Sequence, residues 1–203
     1  MKILVTAFEP FGGDAVNPTV AALEALPDNI EGAAVCKAVI PVVFGQCGDV
    51  LRAALAQYHP DGVICLGMAA GRGQITPEVF AVNARYARGA DNAGVRYDVL
   101  TPCSHDGPEA YRTKLPVEKI ITCLQENGIP ASLSFTAGTY VCNDPFYSLM
   151  SLTDVPAGFI HVPQAAEDAP EGRPAMPQEQ INRGIALAAE VLAETLQSPE
   201  MSG

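Results

Sequence analysis

Short apolar segments alternate with amphipathic helical patterns along the chain, and this alternation limits the fold more than any other feature. Five apolar runs predict buried strands: Ile3–Ala7, Ala34–Ile40, Gly62–Leu66, Ala131–Thr136 and Ala157–Val162. The predicted helices are Pro18–Leu26, Gly45–Tyr58, Pro116–Asn127, Asp144–Leu152 and Gln178–Leu196. Strands and helices in this order are typical of an α/β protein with a mostly parallel sheet.

A few segments depart from the alternation. The apolar and polar residues of Val79–Ala87 predict one extra strand, and Asn17 is the predicted N-cap of the first helix. Loops are predicted at Met68–Gly73, Asp91–Gly107 and Pro163–Pro177 from their glycine, proline and polar residues. With 203 residues, 48% of them apolar, we expect a single domain over residues 1–203.

Charge and cysteine content exclude several classes of function. Twelve Lys and Arg against 23 Asp and Glu give a net charge of -11, which opposes contact with a nucleic-acid backbone. We expect no membrane segment, because no apolar run approaches the ~18 residues that a spanning helix needs. Six cysteines without a C-x-x-C pair predict reduced thiols, no metal site and a cytoplasmic protein.

Several reactive or aromatic side chains directly follow predicted strands. Phe8 and Phe11 follow the first strand, Glu78 comes after the third, Cys142 follows the fourth, and His161 lies at the end of the fifth. Ligands of open α/β sheets bind beyond the carboxyl ends of the strands, so these groups are expected to converge. A cysteine, a histidine and a carboxylate are the nucleophile, base and orienting group of thiol hydrolases.

Cys142 is the strongest candidate nucleophile because it stands at the predicted start of a helix. The N–H groups of a helix N-terminus favour a thiolate, so we expect a thiol pKa below the usual value of about 8.5. A buried, inert cysteine is the alternative interpretation. Cys47, near another helix start, and Cys103, two residues before His105, are the competing candidates.

The choice of base is narrow, because the chain has three histidines. His59 precedes a proline at a predicted helix end, which suggests a structural role, and His105 lies in a polar loop. His161, at the end of an apolar strand, is the preferred base, with a satisfied core histidine as the alternative. From spacing alone, Glu78 reads as an ordinary solvated carboxylate. The segment Gly71–Thr76 lacks the third glycine of a dinucleotide site, which argues against a nucleotide cofactor.

Motifs distributed along nearly the whole chain resemble those of the pyroglutamyl peptidase I family of cysteine peptidases, also called pyrrolidone carboxyl peptidases. The matching segments are Phe8-Glu9-Pro10-Phe11-Gly12-Gly13, Val16-Asn17-Pro18, Gly71-Arg72, Gln74-Ile75-Thr76-Pro77-Glu78, Asp91-Asn92, Ala137-Gly138-Thr139-Tyr140-Val141-Cys142-Asn143 and Gly158-Phe159-Ile160-His161-Val162-Pro163. Their joint occurrence in the same order is highly specific.

The resemblance implies a mechanism and an architecture. Cys142 would be the nucleophile, His161 the general base and then acid, and Glu78 the carboxylate that orients His161. The family implies a three-layer α/β/α sandwich around a mostly parallel, mixed sheet of the phosphorylase/hydrolase-like kind. It also implies a homotetramer, no cofactor, and peptides with an N-terminal pyroglutamate as substrates.

Pyroglutamate is flat and uncharged, so its pocket is expected to have apolar faces and a few polar groups for the lactam. The predicted substrate-binding residues are Phe8, Phe11, Asn17, Met68, Arg88, Tyr140 and Val141. Asn17 is expected to order its loop or to bind the ring. Met68, Val42 and Gly89 depart from the pattern of the family, where glutamine, threonine and a larger apolar residue are common.

Two other classes of function remain open from the sequence. The same general architecture serves nucleoside phosphorylases, whose activity would require phosphate and would resist thiol alkylation. The second is a catalytically silent module that binds a small molecule, in which the residues at positions 68 and 89 alter the pocket.

Overall fold

A mixed sheet of eight strands forms the centre of the protein, as shown by a computed structural model that describes residues 1–198. Ten strands lie in this range: β1 Lys2–Phe8, β2 Asn29–Ile30, β3 Ala33–Ile40, β4 Gly62–Met68, β5 Thr76–Val82, β6 Arg85–Ala87, β7 Tyr97–Thr101, β8 Ala110–Arg112, β9 Ser134–Thr136 and β10 Ala157–Val162. The five helices are α1 Pro18–Ala25, α2 Gln46–Tyr58, α3 Val117–Glu126, α4 Asn143–Leu152 and α5 Gln178–Gln197. The last five residues of the predicted domain, 199–203, lie outside the described residues.

The central strands of the sheet run parallel, and the polarity changes at one junction. The order is β2-β3-β1-β4-β10-β5-β8, and β9 pairs with β5. Strand β1 is parallel to β3 and β4, and β4 is parallel to β10, whereas β5 runs antiparallel to β10. The predicted mixed, mostly parallel sheet is confirmed.

Helices cover both faces of this sheet, and alternate residues of β1 show the two layers. Ile3 and Val5 pack in one buried cluster with residues of α1, α3 and α5. Leu4 packs in the other cluster, with Leu51 of α2 and Leu149 of α4. Side chains alternate between the faces of a strand, so a fully buried strand supplies both cores. The three-layer α/β/α prediction is confirmed.

The first helix begins where the sequence predicts. The Oδ1 atom of Asn17 accepts a hydrogen bond of 3.0 Å from the backbone N–H of Thr19, and Pro18 occupies the first turn. An asparagine N-cap satisfies one of the free N–H groups of a helix start, and proline is tolerated there. The turn that leads from β1 is therefore held at a fixed geometry.

The edge strands are where the sequence interpretation is wrong. Segment Val79–Ala87 is not one strand, because β5 ends at Val82 and β6 begins at Arg85. The predicted loop Asp91–Gly107 contains β7, which pairs with β6 in a two-stranded ribbon. The short strands β2 and β8 were not predicted, and only residues 134–136 of the predicted strand Ala131–Thr136 are a strand. Such strands bury little apolar surface, so their sequences lack a clear period.

Residues 1–198 contain five helices. None of them combines the length and the apolar character that crossing a bilayer requires.

Candidate active site

The imidazole of His161 is paired with the carboxylate of Glu78. The Nδ1 atom of His161 lies 2.7 Å from Oε1 of Glu78, and both side chains are buried. Thr76 is opposite His161 in the antiparallel register of β5 and β10, so Glu78 lies on the same face, diagonal to the ring. An ionised carboxylate only accepts hydrogen bonds, so Nδ1 carries the proton and Nε2 is left to act as a base.

The pair is charged on the carboxylate and neutral on the ring. Burial raises the pKa of Glu78, but the hydrogen bonds from His161 and Arg72 outweigh it and hold the pKa below its usual value. Burial lowers the pKa of His161 and outweighs the opposite effect of Glu78. A neutral imidazole beside an ionised carboxylate can take up a proton during a reaction.

Arg72 completes this group, and the sequence interpretation missed it as a site residue. Its Nη1 atom donates to Oε1 of Glu78 at 2.8 Å and to Oγ1 of Thr76 at 2.5 Å. The other carboxylate oxygen, Oε2, is buried and has no partner among the described residues. The available signal in the sequence is the position of Arg72, six residues before Glu78 in Gly-Arg-Gly-Gln-Ile-Thr-Pro-Glu.

The sulfur of Cys142 lies on the face of the sheet that carries His161. Cys142 is the N-cap residue of α4. Gly67 is the register partner of His161 on the parallel strand β4. A Cβ atom at Gly67 would lie 3.1 Å from the Cys142 sulfur and 2.6 Å from the ring of Phe159. The glycine therefore makes room for the nucleophile beside the base.

The pKa of the Cys142 thiol is raised above its usual value. Burial raises its pKa to about 12, and the charge of Glu78 adds to this, while the charge of Arg72 and the residue's own backbone N–H act in the opposite direction. The predicted lowering of this pKa by the helix N-terminus is wrong, because desolvation of the sulfur is the larger effect. Within residues 1–198 the thiol makes no hydrogen bond to the imidazole.

Asn143 fixes the start of α4 against the end of β5. Its Oδ1 atom accepts from the N–H of Val82 at 3.0 Å, and its Nδ2 atom donates to the carbonyls of Val82 and Ala84 at 2.8 and 3.1 Å. These bonds explain the break between β5 and β6, because the ladder atoms there bind a side chain instead of a strand. They also fix the residue next to Cys142.

Asp144 makes a second anchor beneath the same helix. Its Oδ1 atom accepts from Nε of Arg85 at 2.6 Å, and its Oδ2 atom accepts from the N–H of Gly45 at 2.7 Å. The carboxylate is 1% exposed and Arg85 is 18% exposed, so this ion pair is largely desolvated. The start of α4 is thus tied to β6 and to the loop before α2.

The competing cysteines are placed elsewhere. Cys47 is fully buried beneath Asp144, and burial raises the pKa of its thiol. Burial also raises the pKa of Cys103 to about 11, and its sulfur is 3.8 Å from the carbonyl oxygen of Val82. Neither thiol lines the cavity that opens on Cys142.

A small apolar cavity opens on Cys142. Its lining residues come from the end of β1 and the loop after it, the loop after β3, the end of β4 and the segment before α4: Phe8, Phe11, Asn17, Val42, Met68, Tyr140, Val141 and Cys142. Six predicted pocket residues are therefore found together here. Arg88 is not among them, because it lies exposed on the chain that follows β6.

The walls of the cavity are held by hydrogen bonds and aromatic contacts. The hydroxyl of Tyr140 donates to the carbonyl of Ala90 at 2.8 Å, and its ring meets that of Phe44 edge to face with centroids 5.6 Å apart. Asn17 uses its Oδ1 atom on Thr19 and donates from Nδ2 to the carbonyl of Glu9 at 3.1 Å. Asn17 therefore orders the loop that carries Phe11.

No group of three or more His, Cys, Asp or Glu side chains in residues 1–198 is arranged to hold an ion.

Comparison with known proteins gives one consistent family. The family model for Pyroglutamyl peptidase matches residues 1–195. A pyrrolidone-carboxylate peptidase of Streptococcus pyogenes is 41% identical over 195 residues, which cover 93% of this chain and 90% of the relative. The crystal structure of pyroglutamyl peptidase I of Bacillus amyloliquefaciens superposes with a TM-score of 0.90 at 38% identity, covering 95% of this chain and 97% of that one. The pyrrolidone carboxyl peptidase of Thermococcus litoralis gives 0.91 at 36% identity, with coverages of 97% and 94%.

Proposed function

This chain belongs to the pyroglutamyl peptidase family, and from that membership we propose that it hydrolyses the bond after an N-terminal pyroglutamyl residue of a peptide. The observation that carries the proposal is the joint placement of three groups. The sulfur of Cys142 packs against Gly67, the register partner of His161, and Glu78 holds the far nitrogen of that ring.

The first half of the reaction forms a thioester. The sulfur of Cys142 attacks the carbonyl carbon of the pyroglutamyl residue while its proton moves to Nε2 of His161. Charge on the imidazolium is balanced by Glu78, 2.7 Å from Nδ1. As the C–N bond breaks, His161 donates the proton to the leaving amine, and the shortened peptide departs.

The second half restores the enzyme. His161 removes a proton from water, the hydroxide attacks the thioester carbonyl, and the C–S bond breaks. The sulfur regains its proton and pyroglutamate leaves. The backbone N–H of Cys142 binds no backbone acceptor among the described residues, so it is available to the oxyanion of both tetrahedral intermediates.

The cavity suits a flat, uncharged five-membered ring. Its walls are apolar apart from Asn17, and the side-chain amide of that residue is already engaged within its own loop. Polar contacts to the lactam would therefore come from backbone groups of the cavity or from the second N–H of the Asn17 amide, since one donor of that amide is used on Glu9. An N-terminal glutamate or proline would bring a charge into this apolar space, which is unfavourable by several kcal/mol or more when the charge is unpaired.

We propose a homotetramer as the working assembly and one domain over the whole chain. Large apolar side chains on the outer strands support association, since Val99 and Leu100 of β7 are 75% and 68% exposed and Phe135 of β9 is 67% exposed. Multi-angle light scattering on the purified protein measures the mass directly. Six free cysteines support a cytoplasmic location.

The test is turnover of a pyroglutamyl-aminocoumarin substrate by the purified protein, compared with the prolyl and glutamyl analogues. We expect release of the fluorophore from the pyroglutamyl compound alone. Cys142→Ala is expected to lose at least about 10³-fold in kcat while its circular dichroism and melting temperature stay unchanged. Equal turnover by Cys142→Ala would refute the nucleophile. Phosphate-dependent cleavage of a nucleoside would support the phosphorylase interpretation, which the family match does not favour.

A further inference from the structure

The buried carboxylate of Glu78 receives two donors on one oxygen. Oε1 accepts from Nδ1 of His161 at 2.7 Å and from Nη1 of Arg72 at 2.8 Å. Glu78 is fully buried, whereas the Arg72 side chain is 32% exposed. A buried carboxylate is stable only when paired and hydrogen-bonded, so the state of Glu78 depends on both neighbours.

We propose that Arg72 is a positioning residue of the reaction, acting through Glu78 on His161 and through its charge on Cys142. This inference rests on the proposed function. It assigns to the loop between β4 and β5 a role in the chemistry rather than in the shape of the pocket.

The geometry explains how Arg72 fixes the carboxylate. Its Nη1 atom binds Thr76 and Glu78, which alternate along β5 on the face that carries His161. One guanidinium nitrogen thus binds side chains at two positions of the strand and holds the Glu78 oxygen that contacts the ring. With Oε1 fixed, His161 keeps its proton on Nδ1 and presents Nε2 to the thiol.

Charge gives Arg72 a second effect. The fixed charge of Glu78 raises the pKa of the Cys142 thiol, and the charge of Arg72 opposes that increase. Arg72 is the cation that acts on both Cys142 and His161 in the described part of the chain, and it lowers the pKa of each. The charge of Arg72 therefore favours the thiolate over the neutral thiol. It also favours the oxyanion that forms on the substrate carbonyl during attack.

Other titratable groups around the site do not take over this role. Cys65 of β4 is buried beside Thr6, Asp144 of α4 is turned towards Arg85, and the Tyr140 hydroxyl binds the carbonyl of Ala90. Strand β9 brings Ser134, a neutral hydroxyl, near the carboxylate. Removal of Arg72 therefore leaves Glu78 as the dominant charge beside the sulfur.

The test compares wild type with Arg72→Met, Arg72→Lys and Thr76→Val, and with Arg52→Met as a matched control. Arg52 is an exposed arginine of α2. We expect Arg72→Met to lower kcat by about 10- to 100-fold with KM changed less than about 3-fold. Arg72→Lys regains part of the rate, and Thr76→Val, which removes one acceptor of the guanidinium, loses less than Arg72→Met. Arg52→Met behaves as wild type.

A second readout does not depend on peptidase activity. The rate of Cys142 alkylation by iodoacetamide is followed against pH, with mass spectrometry of the peptide that contains residue 142. We expect the profile of Arg72→Met to move to higher pH, because the opposing positive charge is gone. A purely structural role would change stability and leave this profile in place.

The outcomes separate the two proposals. Wild-type kcat or an unshifted alkylation profile in Arg72→Met overturns the role of Arg72. If that variant does not fold, unchanged kcat and alkylation profiles in both Arg72→Lys and Thr76→Val overturn it equally. If the alkylation profiles of wild type and Arg72→Met differ as expected but wild type cleaves no pyroglutamyl substrate, the proposed function is refuted. The effect of the Arg72 charge on Cys142 is then still supported.

Discussion

Gly67 and His161 face each other in register on the parallel strands β4 and β10, and the sulfur of Cys142 lies over the glycine. The sulfur thus lies against the register partner of His161, a residue without a side chain. Phe159 uses the same space, since its ring carbon is 2.6 Å from the position of a Cβ atom at residue 67.

Replacing Gly67 by alanine is expected to displace either the Phe159 ring or the sulfur. Overpacking of this kind costs about 1–3 kcal/mol, and movement of the sulfur lowers kcat by about 10²-fold. Thermal unfolding and kcat measure the two effects. Gly73→Ala is the matched control, because its new Cβ atom would meet Pro174 at an ordinary 3.6 Å. A Gly67→Ala enzyme with both wild-type kcat and wild-type stability would show that neither the ring nor the sulfur occupies this position.

Glu78→Gln is expected to reduce kcat by about 10²- to 10⁴-fold with a small change in KM. The amide keeps the size of the side chain but no longer balances an imidazolium, and its N–H₂ group favours the wrong tautomer of His161. The kinetics are measured across pH with the aminocoumarin substrate. Glu109→Gln, which changes an exposed carboxylate, is the control. Retention of full kcat by Glu78→Gln would remove Glu78 from the mechanism.

Stability is expected to fall as the pH decreases from about 7 to 5.5, and His161 is one cause. Burial lowers the pKa of His161 in the folded protein, so the unfolded chain binds a proton below about 6.5 while the folded chain does not. The folded state therefore loses stability as the pH falls through this window. Glu78, whose pKa is also lowered on folding, contributes a similar loss at lower pH, below about 4.3.

Urea unfolding of His161→Gln at several pH values checks this prediction. The free energy of unfolding is expected to change less between pH 7 and 5.5 than in wild type. His105→Gln, at an exposed loop position, is expected to keep the wild-type slope. Equal slopes in wild type and His161→Gln would contradict the neutral, buried imidazole.

Phe11→Ala is expected to raise KM by about 10-fold and to change kcat little. Phe11 lines the cavity on Cys142, and loss of its ring removes apolar surface that would cover the lactam. Phe11→Leu is expected to recover part of the affinity. Tyr86→Ala alters an aromatic residue of β6 that is 42% exposed and leaves KM unchanged. An unaltered KM in Phe11→Ala would place the ring of the substrate elsewhere.

Asp144→Ala is expected to destabilise the fold by about 3 kcal/mol, because Arg85 and the N–H of Gly45 lose their common acceptor. Denaturation in urea at neutral pH measures the change. The control is Asp154→Ala, which breaks the ion pair of a fully exposed carboxylate with Lys114 and leaves the midpoint unchanged. A midpoint equal to wild type in Asp144→Ala would mean that this anchor does not stabilise α4.

The sequence predicts the central strands and the helices well and the edge strands poorly, for one physical reason. Strands such as β1 and β10 are buried on both faces, so their residues form continuous apolar runs. Strand β7 pairs only with β6, and its exposed Val99 and Leu100 sit among turn-forming residues. The strands of such a ribbon keep much of their surface in solvent, so neither a continuous apolar run nor a strict alternation marks them in the sequence.

The candidate site likewise has residues that the sequence predicts and properties that it does not. Cys142, His161 and Glu78 could be proposed because each follows or ends a predicted strand and because the motifs around them resemble a family. Arg72 could not be proposed in this way. Its position six residues before Glu78 does not show that the side chain reaches over Thr76 to the buried carboxylate. The thiol pKa was also beyond the pattern, since it follows from desolvation in the folded state rather than from position at a helix start.

The base and its carboxylate stand on neighbouring strands, whereas Phe11 and Tyr140 of the cavity belong to connecting segments. Loop grafting is therefore expected to reshape what the cavity accepts without disturbing the pairing of His161 with Glu78. A slip of one residue in β5 would have the opposite result, since it would turn the carboxylate to the far side of the sheet. Substrate selectivity can therefore change with the connecting segments, whereas the pairing of His161 with Glu78 depends on the register of the strands.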